Sequence, residues 1–245
     1  MWLKVFFNGE IYNTMVKDEF DNLVALWRDE YGIARTIEEQ KSIDKDGKPL
    51  PWYTYPAIEY LSQFDYKDKK VFEFGCGYSS AYWAERALQV VAVENDLHWW
   101  KRWQNEFEYD NLQLLLKEND ESYETTLDED YDVIIIDGKR RKACATIALQ
   151  HLKSGGMIIV DDSDRVNVSA DYQEAFILLK NSGLLQIDFY GCCPMNSFSK
   201  ATSVFLSRNF DFPLNGKWQP ANGIGNLWGK SRRERKEFYR RFMKK

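Results

Sequence analysis

The chain has 245 residues, of which 44% are hydrophobic and 29% are charged, and its formal net charge is −5. This composition predicts one globular domain with short appendages and excludes a fibrous, low-complexity or wholly disordered protein. Two histidines leave little material for a Ser-His-Asp hydrolase or a His-rich metal site, and the four cysteines lack zinc-binding spacing. Because no run of 18 apolar residues and no signal-peptide core is found, we expect a reduced, cytoplasmic protein without a membrane span.

The charge is distributed unevenly along the chain. Residues 118–132 hold eight carboxylates and no base, whereas residues 230–245 carry a local charge of +7, so that the remainder sums to −12. An acidic body argues against a nucleic-acid clamp formed by the whole domain. The basic tail has Phe238 and Phe242 on one helical face. It could contact RNA, an anionic membrane or an acidic partner, dock on residues 118–132, or form a solvated helix.

The first 65 residues are predicted to be helical. Apolar residues recur at helical spacing from Val16 to Tyr31, and a polar turn follows at Asp46-Gly47. A short helix is expected over residues 54–64, with Thr54 as its N-cap and Pro56 in its first turn.

From residue 70 onward, short apolar runs alternate with helical segments. Continuous apolar strands separated by helices indicate a parallel sheet covered on both faces. The last two strands are too close in sequence for a crossover helix, so we expect them to pair as an antiparallel hairpin. The predicted strands cover residues 71–74, 90–94, 112–116, 131–137, 157–160, 184–190 and 202–207, and the predicted helices cover 79–88, 97–108 and 141–152. Residues 117–130 are expected to form a loop with one turn.

A glycine turn joins the first predicted strand to its helix. The sequence there is Glu73-Phe74-Gly75-Cys76-Gly77, and Glu94 ends the next strand, 19 residues after Gly75. Glycines let the backbone approach a ligand, and the helix N-terminus adds amide donors. A carboxylate at the end of the second strand can accept hydrogen bonds from a ribose diol. The alternative is a purely structural turn followed by a solvated glutamate.

The pattern of an acid, any residue, Gly, any residue and Gly resembles the signature of class I S-adenosylmethionine-dependent methyltransferases. An NAD site would favour a third glycine where this chain has Ser80. The resemblance spans residues 50–208. It implies an α/β fold with a doubly wound, mostly parallel, seven-stranded Rossmann-like sheet, an antiparallel last strand and an N-terminal helical extension. We expect a helical cap over residues 1–65, the core over 66–210 and a C-terminal extension over 211–245.

The same resemblance implies how the cofactor is held. The glycine turn and Glu73 would hold the amino-acid end of S-adenosylmethionine, Glu94 would bind the ribose, and Asn119 or Asp120 would lie near the adenine. Cys76 is expected to be a small buried side chain rather than a nucleophile. The cofactor-binding residues expected are Glu73, Gly75, Cys76, Gly77, Ser79, Glu94, Asn95, Asn119, Asp120 and Asp137.

Aspartates end two of the later strands. Asp137 follows Ile-Ile-Ile, and Asp161-Asp162 follows Met157-Ile-Ile-Val. These segments resemble those of the catechol-type and FkbM-like O-methyltransferase branches. In the catechol-type enzymes the matching positions bind Mg²⁺, so the resemblance adds Mg²⁺ as a cofactor held by Asp137, Asp161 and Asp162, although Asp162 stands where that family has Asn. Alternatively, the aspartates only position backbone and Asp162 caps a turn.

Arg140 stands where the catechol-type enzymes have a lysine base, with Lys139 beside it. Because arginine keeps its proton in proteins, this departure argues against catechol chemistry and favours an acceptor with an anionic group bound by Arg140 and Arg141. Asp137 is the leading catalytic residue, with Arg140 beside it. Trp52 and Tyr55 are candidates for packing on the acceptor or the sulfonium, or for core aromatics.

These observations favour methyl transfer from S-adenosylmethionine to an oxygen of a small-molecule acceptor. The alternatives left open are a nucleic-acid or protein methyltransferase that uses the basic tail, a non-catalytic adenosylmethionine-binding module, and an NAD-dependent oxidoreductase. The acceptor, the oligomeric state and the pathway are not specified by the sequence.

Overall fold

The computed structural model of this chain describes residues 9–127 and 129–243. Seven strands form one sheet: β1 Lys70–Phe74, β2 Gln89–Glu94, β3 Leu112–Leu116, β4 Tyr131–Ile136, β5 Leu152–Val160, β6 Leu185–Cys192 and β7 Ser199–Leu206. Their order across the sheet is β3-β2-β1-β4-β5-β7-β6. Strands β1 to β5 pair in parallel, whereas β7 pairs antiparallel with both β5 and β6. The predicted mostly parallel sheet with an antiparallel terminal hairpin is confirmed.

Helices precede the sheet and cover both of its faces. The α-helices are α1 Gly9–Ala25, α2 Ile33–Glu39, α3 Tyr55–Leu61, α4 Tyr78–Ala84, α5 Leu97–Gln104, α6 Asp120–Glu124, α7 Arg141–His151, α8 Ala170–Asn181 and α9 Arg232–Met243. A π-helical turn, Leu26–Glu30, follows α1, and 3₁₀ turns form at Ser163–Asn167 and Leu227–Gly229. None of the helices among the described residues combines the length and the apolar character needed to cross a bilayer.

The central strands bury side chains on both faces. Alternate residues of β4 belong to two different apolar clusters: Val133 and Ile135 pack on one face, and Ile134 and Ile136 pack on the other. This alternation follows from the two-residue period of a strand. A strand buried on both sides therefore needs a continuous apolar run, which is the pattern that predicts β4.

Two segments differ from the sequence-based expectations. The predicted turn at residues 154–156 lies within β5, where Gly155 adopts a φ of +82° and the pairing register with β4 shifts. The irregularity is absorbed inside the strand instead of ending it. Helix α8 was not predicted, although its buried residues Tyr172, Ala175, Phe176 and Leu179 follow helical spacing.

Hydrogen bonds connect the segment before the sheet to the hairpin of β6 and β7. Thr54 occupies the N-cap position of α3, but its hydroxyl donates a hydrogen bond to the carbonyl of Phe189 at 3.1 Å instead of capping the helix. The backbone N–H of Thr54 donates to Thr202 Oγ1 at 3.0 Å. These bonds hold the approach segment beside the carboxyl ends of the parallel strands, where ligands bind in open α/β sheets.

Candidate active site

A crevice of about 740 Å³ opens at the carboxyl ends of β1, β2, β4 and β5. It extends from the glycine turn and Glu94 at one end to Asp161, Asp162 and Lys200 at the other. Strands β1 and β4 are neighbours in the sheet although β2 and β3 lie between them in sequence. The crevice is therefore at the topological switch point of the sheet, the usual ligand site of this architecture.

The two glycines of the turn have different surroundings. Gly75 has a φ of +112°, and a Cβ there would lie 2.8 Å from the carbonyl oxygen of Asp137. Gly77 has an extended φ of 165°, lines the crevice, and a Cβ there would meet nothing within 4 Å. Gly75 is therefore required by the fold, whereas Gly77 leaves open space for a ligand at the start of α4.

Glu73 is buried behind this turn. Its two carboxylate oxygens accept hydrogen bonds from the hydroxyls of Ser79 and Ser80, each at 2.5 Å. Burial raises the pKa of Glu73 to about 8, against the two hydroxyl bonds that lower it. The structure places Glu73 outside the crevice lining, so it supports the turn through Ser79, which does line the crevice.

Glu94 lies at the carboxyl end of β2 and lines the crevice. Its Oε1 accepts hydrogen bonds from the backbone N–H groups of Asn95 and Asp96, at 2.7 and 2.9 Å. These bonds fix the carboxylate at the strand end, although burial raises its pKa. A fixed, buried carboxylate on one wall is a suitable acceptor for ribose hydroxyls.

Trp99 joins this wall to the glycine turn. Its indole Nε1 donates a hydrogen bond to the carbonyl of Cys76 at 2.6 Å, and its ring packs edge-on against Trp103 at 5.3 Å. Both tryptophans line the crevice. Neither tryptophan was predicted from the sequence as a site residue.

Asp137 lies at the end of β4 and lines the middle of the crevice. Its Oδ1 accepts a hydrogen bond from Arg141 Nη2 at 3.3 Å. Arg141 is 4% exposed and also donates to the backbone carbonyls of Ile136 and Asp161. Burial raises the pKa of Asp137, and the Arg141 guanidinium opposes that shift. Arg141 thus positions Asp137 at the edge of the sheet.

Asp161, Asp162 and Lys200 form the far end of the crevice. Lys200 Nζ donates to Asp161 Oδ2 at 2.5 Å and to Asp162 Oδ1 at 2.9 Å. The other oxygen of Asp161 accepts from Thr202 Oγ1 at 2.7 Å, and the other oxygen of Asp162 lies 3.0 Å from Arg165 Nη2. Burial opposes the charged form of Lys200, but Asp161 and Asp162 together raise the pKa of the ammonium above its usual value.

The predicted magnesium site does not fit these residues. Lys200 lies between two of the three proposed ligands, and among residues 9–127 and 129–243 no group of three or more His, Cys, Asp or Glu side chains is arranged to hold a metal ion. A divalent ion about 3 Å from an ammonium is repelled by roughly 10 kcal/mol at an effective dielectric constant of about 20. We therefore derive no step through a metal.

The structure brings about half of the expected residues together. Those that line the crevice are Trp52, Cys76, Gly77, Ser79, Glu94, Asp137, Arg141, Asp161 and Asp162. Those that do not are Tyr55, Glu73, Gly75, Asn95, Asn119, Asp120 and Arg140.

Specific local contacts account for the residues outside the crevice. Tyr55 is buried against Tyr31, with ring centroids 4.7 Å apart. Asn119 caps α6, accepting from the backbone N–H groups of Glu121 and Ser122. Arg140 has a left-handed φ of +57°, and its Nε donates to Glu124 Oε1 at 2.5 Å.

Arg140 is the clearest correction. Its guanidinium lies against the acidic helix α6, 3.8 Å from Asp120 at one nitrogen, and not in the crevice. The expected catalytic and anion-binding role of Arg140 therefore has no support in this geometry. Lys200 was not identified from the sequence. The available signal was a lysine two residues before Thr202 at the start of a predicted buried strand.

The basic tail forms α9, and Lys230 Nζ lies 3.9 Å from Glu30 Oε1. The side chains of Phe238 and Phe242 lie outside the described residues. The expected role of the tail stays a prediction.

Several solved structures are similar to part of this chain. Solved structures similar to the chain include an O-methyltransferase from Bacillus cereus in complex with SAH (16% identity, 62% of this chain, 78% of that chain, TM-score 0.49). A spermidine synthase from Thermotoga maritima is also similar (15% identity, 64% and 61%, TM-score 0.49), as is an S-adenosylmethionine-dependent O-methyltransferase from the same organism (13% identity, 62% and 64%, TM-score 0.47). Likeness at this level does not identify a function. No curated protein sequence matches the chain.

A family model gives the assignment that the structures do not. Residues 72–163 match the model described as "Methyltransferase domain". The matched segment starts in β1 and ends just after Asp161 and Asp162, so it contains the glycine turn, Glu94 and Asp137. Residues 72–163 of this chain are therefore identified as a methyltransferase domain.

Proposed function

We propose that this enzyme transfers the methyl group of S-adenosylmethionine to a hydroxyl oxygen of a small-molecule acceptor. The observation that carries the proposal is the continuous crevice, which joins the glycine turn and Glu94 to the cluster of Asp137, Asp161 and Lys200. Its volume of about 740 Å³ is in the range of small-molecule sites, and its walls are both aromatic and charged.

The glycine-turn end would hold the cofactor. Open space at Gly77 allows the amino-acid end to approach the backbone at the start of α4. Glu94, fixed by two backbone N–H groups, would accept hydrogen bonds from the ribose. Trp99 and Trp103 would form the aromatic wall beside the same ligand.

The carboxylate end would hold the acceptor. Trp52 lines this end and is partly exposed, so its ring offers an apolar surface for the acceptor body. Asp137 is held by Arg141 and, because burial raises its pKa, it is a stronger base than an ordinary aspartate. Asp137 is therefore the group that takes the proton from the acceptor hydroxyl.

When bound, S-adenosylmethionine supplies a methyl group whose S–C bond breaks, the electron pair staying on sulfur, as the acceptor oxygen forms the new C–O bond. Asp137 takes the hydroxyl proton of the acceptor. The chain contributes mainly by orientation, since holding two reactants in a productive geometry supplies much of the rate enhancement of such a transfer.

Calorimetric titration with S-adenosylmethionine, S-adenosylhomocysteine and NAD tests the cofactor. We expect binding of the first two and none of NAD. A screen of hydroxylated small molecules with radiolabelled cofactor then tests the acceptor class. Asp137→Asn should lower kcat by about 10²-fold or more with the cofactor Kd nearly unchanged. Exclusive binding of NAD, or full activity of Asp137→Asn, would contradict the proposal.

A further inference from the structure

The position of Lys200 follows from the direction of β7. The last paired residues of β5 and β7 are Val160 and Ser203, and the strands are antiparallel. Residues that precede Ser203 therefore extend beyond the carboxyl end of β5, where Asp161 and Asp162 lie. Lys200 and Thr202 are two residues apart on β7, so their side chains share one face of the strand.

That shared face accounts for both oxygens of Asp161. Lys200 Nζ donates to one at 2.5 Å, and Thr202 Oγ1 donates to the other at 2.7 Å. Asp161 is 2% exposed, and Lys200 is 8% exposed. Because the Lys200 ammonium is buried and contacts two carboxylates, it is a fixed positive charge of the crevice and not a solvent-exposed lysine.

The charges at this end of the crevice are already balanced. The carboxylates of Asp137, Asp161 and Asp162 are matched by Lys200, Arg141 and Arg165, which contact them at 2.5 to 3.3 Å. A further divalent ion would leave two excess positive charges in a buried site. The ammonium of Lys200 therefore occupies the place between the carboxylates that a divalent ion would need as ligands.

An ammonium has three N–H donors, and Asp161 and Asp162 accept two of them. Lys200 lines the crevice, and its Nζ lies 6.0 Å from the ring centroid of Trp52, on the side that would hold the acceptor. The remaining donor is available to an oxygen in the crevice.

We propose that the Lys200 ammonium replaces the divalent cation in this enzyme, so that it binds the acceptor oxygen and methyl transfer needs no metal. The inference rests on the proposed function for its catalytic part only. The ammonium keeps its three protons throughout and donates one hydrogen bond to the acceptor oxygen. The proton that leaves the acceptor passes to Asp137, as before.

Manganese binding tests the proposal without any acceptor. Mn²⁺ alone is titrated into the purified protein, and free Mn²⁺ is measured by electron paramagnetic resonance. We expect no stoichiometric binding to the wild type at about 1 mM, the weak end of protein sites for divalent ions. Lys200→Ala should bind one Mn²⁺ at least tenfold more tightly, because it frees the carboxylates. The matched control, Lys142→Ala, removes an exposed lysine that pairs with Glu174 and should behave like the wild type.

Lys200→Ala leaves the buried carboxylate of Asp161 without its cation and could fail to fold. The double variant Asp161→Asn/Lys200→Met removes one charge of each sign and provides a second test: it should fold and bind the cofactor, but lose acceptor turnover. The wild-type titration needs no variant. Stoichiometric Mn²⁺ binding by the wild type, reversed by Asp161→Asn, would overturn the proposal.

Measurements of methyl transfer test the catalytic part of the proposal. They use the acceptor found in the screen of hydroxylated compounds. Wild-type kcat/KM should be the same in EDTA and in Mg²⁺, and Lys200→Met should lower it about 100-fold, with the Kd for S-adenosylhomocysteine unchanged. Loss of wild-type activity in EDTA, restored by Mg²⁺, would overturn the inference. If S-adenosylmethionine does not bind, the proposed function fails, whereas the Mn²⁺ titration still decides whether Lys200 excludes a divalent ion.

Discussion

At the scale of single residues, the two glycines of the turn serve different purposes: one is needed for folding and the other for ligand binding. Gly75 has a left-handed φ and lies against the backbone of Asp137, whereas Gly77 is extended and faces open space. A side chain at either position would alter the same five-residue turn. The physical consequences differ because one glycine satisfies the fold and the other leaves room for a ligand.

We predict that Gly75→Ala destabilises the protein by about 1–3 kcal/mol, because the new Cβ meets the Asp137 carbonyl at 2.8 Å in a strained backbone conformation. Gly77→Ala should change the free energy of unfolding by less than about 1 kcal/mol. It should nevertheless weaken S-adenosylmethionine binding at least tenfold. Urea denaturation and calorimetry of the two variants measure the two effects. If both variants were equally destabilised and Gly77→Ala bound S-adenosylmethionine normally, the separate roles of the two glycines would be refuted.

Glu73 is a buried acid whose ionisation should oppose folding. Its pKa is raised to about 8 in the folded protein, chiefly by burial, from an ordinary value of 4.5. Between these two values the folded state holds a proton that the unfolded state has lost. The contribution of Glu73 to stability is therefore fully present below about pH 4.5 and is lost as the pH rises toward 8.

We predict that Glu73→Gln flattens the decline in the free energy of unfolding between pH 5 and 8. The difference from the wild type should grow by up to about 1.4 kcal/mol per pH unit in this interval. Urea denaturation at several pH values measures it. Glu85→Gln, at the partly exposed end of α4, is the matched control and should keep the wild-type slope. A slope shared by all three proteins would show that Glu73 ionises normally.

At the scale of elements, the start of α7 depends on a neighbouring helix. Its N-cap residue, Arg140, makes no side-chain capping bond. Asp171 on α8 supplies the missing acceptors, with Oδ2 2.8 Å from the N–H of Arg141 and Oδ1 3.1 Å from that of Lys142. Because Arg141 positions Asp137, this cap between helices also supports the active site.

Asp171→Ala should therefore destabilise the protein by about 1–2 kcal/mol, as the loss of an N-cap does. Glu174→Ala, one turn later on α8, removes only an exposed ion pair with Lys142 and should cost less than about 1 kcal/mol. Thermal or urea denaturation of the pair distinguishes the two contacts. The cap is unimportant if both variants unfold at the same denaturant concentration.

At the scale of the whole molecule, cofactor binding and folding are linked. The crevice is assembled from residues between 40 and 200, so a ligand there binds the folded chain and not the unfolded one. At a concentration of 100 times its Kd, such a ligand stabilises the fold by about 2.7 kcal/mol.

We expect S-adenosylhomocysteine at that concentration to raise the Tm by about 5–10 °C, given the size of the chain, and NAD to leave it unchanged. Differential scanning fluorimetry is sufficient to measure this. The Gly77→Ala variant serves as the internal control, since its shift should be smaller at the same ligand concentration. A larger shift with NAD would contradict the cofactor assignment.

Much of the fold could be predicted because its causes are local. Apolar runs such as residues 133–136 predict strands buried on both faces, and the short connection between the last two strands predicts an antiparallel hairpin. The turn at residues 154–156 was mistaken for a strand end, because a glycine pair has the same local signal whether it ends a strand or bends it.

The residues of the active site also fall into those that the sequence predicts and those that only the structure identifies. By itself the sequence determined the class of sheet, the glycine turn, and the acids Glu94 and Asp137, because each is specified by its place at a strand end. Only the tertiary structure decided that Arg140 faces α6 and that Lys200 lies between Asp161 and Asp162. The reason is physical. Lys200 lies 39 and 38 residues after Asp161 and Asp162 and reaches them through the register of two antiparallel strands. Pairing register is set by packing and not by neighbours in sequence.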